Sequence, residues 1–329
     1  CISHCEIFGA NVSVVKGNLK YIQIDSKKCI NCGRCINLCV HQAIDYKDDC
    51  EAFFDSLNKN EKISLIVDKS FFLYYGNRVE NVLGYLKSIG VDKIYSINVG
   101  KEISIWAHTK YLKEHKNAPM KKKAFIAQTC SAVTNKIELY HPYLIGKLIP
   151  VHSPLICTAI YAKNYLGDNN KKAFLGACVA KKDEISCKET FGYVDYNITI
   201  NHLNEFIKNK KLEKYKFNDL FQSTGMGKFI PIEESFLKCV SFFFPRTESF
   251  VEYHSINNNT MNMLELSIAK VPKGHEIQPL LADVSACEYG CQEGPGINKD
   301  TVESVNIYEQ YVKLHKSSVS AFIDTDNYD

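Results

Sequence analysis

At 329 residues the chain is long enough for one small module and one or two medium-sized domains, each with a buried core. Hydrophobic residues make up 45% and charged residues 23%, and the formal net charge is +3, as in ordinary globular proteins. This charge does not indicate a nucleic-acid-binding surface, and no segment has the roughly 18–20 uncharged apolar residues of a membrane span. The sequence starts at Cys1 without a basic and apolar leader, so we expect a cytoplasmic protein with neither nucleic-acid nor membrane partners.

The first predicted unit covers residues 1–46. Two short alternating segments, 12–15 and 20–24, flank Gly17-Asn18 and predict a β-hairpin. A polar linker is predicted at residues 47–61.

Residues 62–329 alternate short apolar strands with amphipathic helices, the pattern of a layered α/β domain. Strands are predicted at 63–67, 93–97, 124–127, 173–175 and 280–284. Helices are predicted at 78–89, 103–111, 136–148, 155–165 and 300–315. Residues 205–270 show no pattern that supports a prediction.

Fourteen cysteines are more than a reduced cytoplasmic protein needs without a use for them, and a chain of this length does not require disulfides. Ten of the cysteines lie in arrangements typical of metal sites. The other four stand alone in the sequence and are predicted to be buried thiols: Cys50, Cys157, Cys187 and Cys239.

The tightest arrangement is the ladder Cys29-x2-Cys32-x2-Cys35-x3-Cys39. This spacing is typical of ferredoxins, where three thiolates on one loop hold a 4Fe–4S cluster and the fourth serves a neighbouring cluster. Zinc sites instead use paired cysteines far apart in the sequence. The proline that usually follows the fourth cysteine is Val40 here, which removes no ligand.

Cys1-x3-Cys5 has the spacing of the last two cysteines of a second ladder. In two-cluster ferredoxins the fourth cysteine of each ladder binds the cluster of the other ladder. By this rule one complete cluster would be held by Cys5, Cys29, Cys32 and Cys35. Cys1 and Cys39 would then need two further cysteines upstream of this sequence. The alternative is that Cys1 and Cys5 are a terminal remnant that binds nothing.

Four more cysteines are scattered along the α/β region. Cys130 and Cys178 each follow a predicted strand, and Cys287-x3-Cys291 is predicted to start a helix, with both thiols on one face. Two thiolates from strand ends could complete a four-thiolate cage with this pair. Spacing as wide as this is weak support for a site when taken alone.

The segments around these cysteines resemble the three cluster-binding signatures of the iron-only (FeFe) hydrogenases, in the order found in that family. They are Thr129-Cys130-Ser131, the segment Gly176-Ala177-Cys178-Val179-Ala180-Lys181-Lys182-Asp183-Glu184, and the segment Cys287-Glu288-Tyr289-Gly290-Cys291-Gln292-Glu293-Gly294-Pro295-Gly296. The similarity extends over most of the chain. It implies a two-lobed α/β domain of mixed sheets flanked by helices, preceded by a small α+β ferredoxin-like domain.

The resemblance also implies a cofactor, the H-cluster, which is a 4Fe–4S cubane joined to a di-iron unit that carries carbon monoxide, cyanide and an azadithiolate. On this basis the cubane is held by Cys130, Cys178, Cys287 and Cys291, and Cys291 bridges to the di-iron unit. Lys181 is expected to donate to a cyanide, because an ammonium is a compact donor suited to an anionic ligand.

The implied reaction is the reversible conversion of dihydrogen and two oxidised acceptors into two protons and two reduced acceptors. The implied partners are dihydrogen, protons, a ferredoxin or other redox protein, and maturation proteins.

Three departures from the family pattern point to its divergent sensory branches, described as group C or D. Catalytic members relay protons through a second cysteine beside the first signature cysteine, and this sequence has Ser131 there; a hydroxyl titrates far above a thiol and is a poorer relay. Ala177 replaces a proline, and Pro295 interrupts a triple glycine. We therefore expect low, sensor-like turnover, with Ser131, Glu138 and Glu184 as candidate proton-path residues. The known sensory form carries a C-terminal signalling domain that does not occur in these 329 residues, so we expect either a neighbouring branch of the family or a shortened chain.

Four functional classes stay open at this point: a working hydrogenase, a slow hydrogen sensor, an assembly-type protein with cubane clusters but no di-iron unit, and a ferredoxin-fused electron carrier. Lys181 beside Cys178 argues against the assembly-type protein, because a donor to cyanide has no use there.

Overall fold

The computed structural model describes residues 2–41, 43–115, 125–217, 235–243, 250–253, 255–268, 281–288 and 290–297. Cys1 and the helix predicted at 300–315 lie outside the described residues.

The N-terminal unit begins with the predicted hairpin. Strands β1 (Asn11–Lys16) and β2 (Leu19–Ile24) pair antiparallel, and Lys16 lies opposite Leu19 across the two-residue turn. Gly17 has a φ of 61° in this turn, as tight hairpin turns require. The short helix α1 (Arg34–Asn37) follows within the cysteine ladder. The hairpin prediction is therefore confirmed.

The segment predicted as a polar linker contains helix α2 (Cys50–Asn58), which the sequence analysis did not predict. Its apolar residues recur at helical spacing, and Cys50, Phe53 and Leu57 are buried in the core of the main sheet. The acidic residues just before α2 anchor it, because Asp49 accepts a hydrogen bond from the backbone N–H of Asn197 at 3.0 Å.

The main sheet has four parallel strands in the order β4–β3–β6–β7. The strands are β3 (Ile63–Val67), β4 (Val91–Ser96), β6 (Lys171–Gly176) and β7 (Tyr196–Thr199). Every residue of β3 is buried, which explains its continuous apolar run. Side chains alternate between two cores: Leu65 faces the core built with α2, and Ile66 faces the core on the other side of the sheet.

A second sheet has three parallel strands in the order β5–β9–β8. These strands are β5 (Phe125–Ile126), β8 (Phe250–Tyr253) and β9 (Leu281–Val284). The helices between the strands of the two sheets are α3 (Lys69–Tyr75), α4 (Val79–Ser88), α5 (Asn98–Glu114), α6 (Ser131–Tyr140), α7 (Pro154–Asn164), α8 (Lys181–Ser186), α9 (Ile200–Ile207), α10 (Ser235–Phe243) and α11 (Asn258–Ile268).

The predicted architecture of sheets flanked by helices is confirmed, but each described pairing outside the hairpin is parallel, where mixed sheets were expected. The reason is connectivity, because helices lie between these strands and supply the crossovers that parallel neighbours need. The helix predicted at 136–148 is α6, which starts earlier and ends before Pro142, where the chain turns into a short 3-10 helix. No helix among the described residues is long and apolar enough to cross a membrane.

Candidate metal centre

Three of the four scattered cysteines lie just beyond the carboxyl ends of parallel strands. Cys130 follows β5, Cys178 follows β6 and Cys287 follows β9. Ligand sites in open α/β sheets form at this edge, so the fold itself directs these residues towards one region. Cys291 follows Cys287 through a loop in which Gly290 has a φ of 75°, and only a 3-10 turn begins at Cys291. The prediction that the pair shares one face of an α-helix is therefore wrong.

The loop after Cys291 packs directly on the loop before Cys178. The backbone N–H of Gly296 donates to the carbonyl oxygen of Ala177 at 2.7 Å. A Cβ atom at Gly294 would lie 2.6 Å from the same oxygen, so that position has no room for a side chain. Two of the three residues in the altered glycine motif thus hold the Cys178 and Cys291 segments together.

The electrostatics show that the four thiols are close to one another. Burial raises the pKa of Cys287 well above its usual value, and the charges of Cys291, Cys178 and Cys130 raise that pKa further. The pKa of Cys291 is raised first by burial and then by Cys130 and Cys178. The pKa of Cys178 is about 11, again mainly because of burial. Without a positive partner the thiols of Cys178, Cys287 and Cys291 would stay protonated, and an iron–sulfur cluster is a partner that takes thiolates.

The described side chains do not form a site for a single metal ion. No group of three or more His, Cys, Asp or Glu in the described ranges converges closely enough to hold one. Sulfur ligands of one zinc ion, each at about 2.3 Å, must nearly touch one another. In a cubane each thiolate binds a different iron, so the thiolates stand farther apart. The soft donor set suits an iron–sulfur cluster, and the lack of close convergence among the described side chains argues against a lone ion.

Cys291 lies within electrostatic reach of Cys130 and Cys178. Its surface is solvent-accessible, and yet burial is the largest influence on its pKa. Asp68, which directly follows β3, also raises the pKa of Cys291. Lys101 on α5 lies within 3.9 Å of Asp68, and burial lowers its pKa, although Asp68 and Cys291 oppose that shift. Sequence reasoning missed both charged groups; the only available signal for Asp68 was its place at the end of an apolar strand.

Lys181 is held in a small polar network beside the cysteines. Its ammonium forms an ion pair with the Glu184 carboxylate, and Ser131 Oγ donates to the same carboxylate oxygen, Oε2, at 2.9 Å. Burial lowers the pKa of Lys181, but Glu184 and Cys178 outweigh it, so that the pKa is raised and the ammonium stays charged. An ammonium has three donors, which leaves it able to donate to a further acceptor.

The remaining proton-path candidate is Glu138, and one further thiol, Cys157, lies near this network. Glu138 is exposed on α6. Cys157 on α7 is buried, and its thiol donates to the carbonyl oxygen of His152 at 3.3 Å. Burial, followed by the charge of Glu184, raises the pKa of Cys157 to about 12, which places this thiol near the Lys181 network. The sequence predicts only a buried thiol at Cys157, and its spacing carries no other signal.

Four N-terminal cysteines form a second group. Burial raises the pKa of Cys32 to about 11, and the charges of its three neighbours contribute: Cys29, Cys35 and Cys5. The structure thus brings together the four cysteines predicted to hold one cluster, while Cys1 lies outside the described residues. Among the described residues Cys39 stands apart, lining a separate cleft of about 1050 Å³. Its thiol accepts a hydrogen bond from the N–H of Ala43 at 3.3 Å, which lowers its pKa.

The two cysteine groups meet at one point. Cys32 and Cys287 line the same small cavity, of about 40 Å³, and the charge of Cys32 contributes to the raised pKa of Cys287. Gly33, beside Cys32, has a φ of 71° and packs on Val179 and Pro295, which flank the other group. The cysteine ladder is therefore seated directly against the loops that carry Cys178 and Cys291.

Of the four isolated cysteines, Cys50, Cys157 and Cys239 are buried as predicted. The prediction is wrong for Cys187, which is exposed and donates from its thiol to Glu189 Oε2 at 2.7 Å. It lies just after the end of α8, where the chain leaves the core.

Comparison with known proteins gives consistent results. The family model described as iron only hydrogenase large subunit, C-terminal domain, matches residues 63–295. Iron hydrogenase 1 of Clostridium pasteurianum is 25% identical, over 88% of this chain and 67% of its own length.

Solved structures of FeFe-hydrogenases share the fold. One, from work on oxygen inactivation at the 2Fe subcluster of the H cluster, has a TM-score of 0.62 and 12% identity, over 80% of this chain and 88% of its own. A variant of HydA1 from Chlamydomonas reinhardtii has a TM-score of 0.61, with the same identity and coverage.

Proposed function

Because the chain belongs to the iron-only hydrogenase family, we propose that its four converging cysteines hold an H-cluster with which it splits or senses dihydrogen. The observation that carries this proposal is the meeting of Cys130, Cys178, Cys287 and Cys291 beyond the strand ends, beside the buried ammonium of Lys181. Four soft donors and one buried cation suit an anionic iron–sulfur cofactor.

In this proposal the four cysteines would hold the cubane, Cys291 would also be the ligand shared with the di-iron unit, and Lys181 would donate to a cyanide ligand. When bound, the H-cluster supplies the heterolytic cleavage of dihydrogen. Each dihydrogen yields two protons and two electrons, and the electrons reduce two one-electron acceptors, with a ferredoxin as the expected partner.

The protein's own side chains control proton transfer near the site and fix the position of Lys181. Glu184 fixes Lys181 and at the same time accepts from Ser131, so these three side chains act as one unit. A serine hydroxyl gives up its proton far less readily than a thiol, whose reference pKa is about 8.5. A slow proton step follows, which favours a sensory member of the family with low turnover over a fast enzyme.

The N-terminal unit is proposed to be a ferredoxin-type domain that carries electrons. Cys5, Cys29, Cys32 and Cys35 would hold a second 4Fe–4S cluster, and Cys32 lies across one small cavity from Cys287. Electrons would cross between the clusters at this point. Cys1, from the partial upstream ladder, and Cys39, the fourth cysteine of the complete ladder, would serve a further cluster.

Infrared spectroscopy of the matured protein tests the proposal. We expect carbon monoxide and cyanide bands after maturation with the di-iron unit, and a shift of the cyanide bands in Lys181→Ala. Lys182→Ala is the matched control, because Lys182 points away to Asp49 at 2.9 Å and should leave the bands unchanged. Absence of these bands, with cubane signals present, would favour the alternative of an electron carrier or assembly-type protein with no di-iron unit.

A further inference from the structure

Lys136 on α6 is a buried cation that the proposed reaction does not use. Its residue is only 1% exposed, and Nζ meets no hydrogen-bond partner among the described residues. A buried amine or ammonium without an acceptor is costly, so a group of this kind needs an explanation. The position of α6 supplies an explanation for Lys136, because the helix starts directly after Cys130 and lies along the cysteine ladder.

Contacts on both sides of Lys136 fix α6 against that ladder. Asn135 Nδ2 donates to the carbonyl oxygen of Ile30 at 3.3 Å, and the Tyr140 hydroxyl donates to the carbonyl oxygen of Lys28 at 2.6 Å. Lys136 lies between these two contacts in the sequence. Lys136 therefore lies on the part of α6 that packs against the N-terminal cysteine ladder, and its side chain is buried.

The charged groups that face Lys136 identify what it is near. Burial is the largest influence and lowers the pKa of Lys136, Arg34 lowers it further, and the charges of Glu6, Cys32 and Cys5 oppose that shift. The Glu6 carboxylate is not within hydrogen-bond distance of Nζ. Two of the four cysteines of the N-terminal group are thus among its immediate electrostatic neighbours.

A second donor reaches the same group from a different element. Asn11, at the start of β1, is 4% exposed, and its Nδ2 also has no acceptor in the described part of the chain. The Asn11 side chain lowers the pKa of Cys35, which opposes the larger effect of burial, so it faces that sulfur. Two buried donors without acceptors, from β1 and from α6, therefore flank one set of four thiols.

We propose that Lys136 and Asn11 are positioning and tuning residues that donate hydrogen bonds to the sulfur atoms of the N-terminal 4Fe–4S cluster and raise its reduction potential. The inference rests on the part of the proposed function that assigns this cluster to Cys5, Cys29, Cys32 and Cys35. One-electron reduction adds negative charge to the cluster, and nearby donors and a cation stabilise that reduced state. The cluster sulfurs would be the acceptors that both side chains lack.

A redox titration of the holoprotein, followed by electron paramagnetic resonance with dithionite as reductant, tests the proposal. In Lys136→Met we expect the equilibrium constant for reduction of this cluster to fall at least tenfold, which is 59 mV for a one-electron couple. Lys136→Gln keeps a hydrogen-bond donor without the charge, so its equilibrium constant for reduction should fall less. In Asn11→Ala the equilibrium constant should also fall. Lys113→Met, an exposed lysine on α5, is the matched control and should not shift.

The rival explanation is that Lys136 only neutralises Glu6. In a Glu6→Gln background the proposal still requires Lys136→Met to lower the potential, and loss of the effect there would overturn it. An unchanged potential in both Lys136 variants, with full iron content, would also overturn it without touching the proposed hydrogen chemistry. If the unsubstituted protein lacks the N-terminal cubane signal, the proposed cluster fails, and this inference fails with it.

Discussion

Glu184 contacts both Lys181 and Ser131 at the cysteine site, and its removal should lower the free energy of unfolding. In Glu184→Gln the Lys181 ammonium, whose side chain is 10% exposed, keeps its charge but loses its carboxylate partner. Breaking one side of a buried ion pair costs about 3–5 kcal/mol, so we expect a loss of this order in the free energy of unfolding measured in urea. Glu189→Gln makes the same chemical change at an exposed site and should leave stability unchanged. Equal losses in the free energy of unfolding for the two variants would show that the buried ion pair contributes no more to stability than an exposed carboxylate.

Lys69 gives the protein a distinct pH dependence. It is 3% exposed, and burial lowers its pKa to about 7, with Lys101 adding to the shift and Asp68 and Cys239 opposing it. Above pH 7 the folded chain has released this proton, while the unfolded chain keeps it up to its ordinary pKa of about 10.4. The unfolded state therefore binds more protons in this window, and this group makes stability rise with pH.

We expect the free energy of unfolding of the unsubstituted chain to rise, relative to Lys69→Met, by about 1.4 kcal/mol per pH unit between pH 7 and 10. Below pH 7 the difference between the two proteins should be flat. Titrating thiols cancel in this comparison, because both proteins contain them. Urea unfolding at four pH values measures the slope, and parallel curves for the two proteins would contradict the assignment.

The cysteines show how far single residues can be read from sequence. The ladder spacing of Cys29, Cys32 and Cys35 defines its chemistry, because one loop must supply all three thiolates. Lys136 and Asn11 could not be identified in this way, because their burial and missing acceptors arise from packing between distant segments. Cys187 shows the reverse error, since no local signal indicated that a lone thiol would lie at the surface.

At the scale of elements, the ladder loop depends on Gly33. This residue has a φ of 71°, and a Cβ atom there would lie 2.2 Å from Pro295 Cγ and 3.1 Å from Val179 Cγ2. Gly33→Ala should therefore lose the roughly 1–2 kcal/mol that a left-handed conformation costs and a further amount from the clash, measured as the free energy of unfolding.

Gly17→Ala is the matched control for this change. Gly17 has a φ of 61° in the hairpin turn, but no atom lies within 4 Å of its added Cβ, so only the conformational cost applies. Combining Gly33→Ala with Pro295→Gly should recover part of the difference between the two positions. If both alanine variants lose the same stability, the contact between the ladder and the Cys291 loop does not contribute.

Periodicity predicted most elements because the strands of a parallel sheet are buried on both faces and read as apolar runs. It failed at α2, whose many polar residues hide four apolar positions at helical spacing. It failed again between Cys287 and Cys291, where the positive φ of Gly290 breaks the backbone before a helix can form. Both errors arise because a tertiary contact or a glycine, and not the local pattern of apolar residues, determines the conformation of these segments.

At the scale of the whole molecule, the candidate site depends on an arrangement that no local pattern contains. Cys130 and Cys287 follow strands of the three-stranded sheet, whereas Cys178 follows a strand of the four-stranded sheet. Spacing alone therefore left these cysteines as weak support for a site, and only the ordered motifs of a family could associate them. The structure adds the physical reason, which is the packing of Gly294 and Gly296 on Ala177.

The same arrangement separates the two proposed clusters enough to remove one and keep the other. Cys35→Ser takes a thiol from the N-terminal group and leaves untouched the cysteines that follow β5, β6 and β9. We expect the iron content to fall by one cubane, while the infrared bands of the H-cluster persist. Reduction of added ferredoxin by dihydrogen should slow sharply, because the proposed route for electrons leaving the α/β domain runs between Cys287 and Cys32, which line one small cavity.

Cys187→Ser is the control for this experiment, because it removes an exposed thiol that belongs to neither group. It should leave iron content, infrared bands and ferredoxin reduction as they are in the unsubstituted protein. If Cys35→Ser reduces ferredoxin at the normal rate after losing its cubane, electrons leave the α/β domain by another path. Loss of the infrared bands in Cys35→Ser would instead show that the ladder supports the second site through the contact of Gly33 with Pro295, so measuring both signals separates electron transfer from structural support.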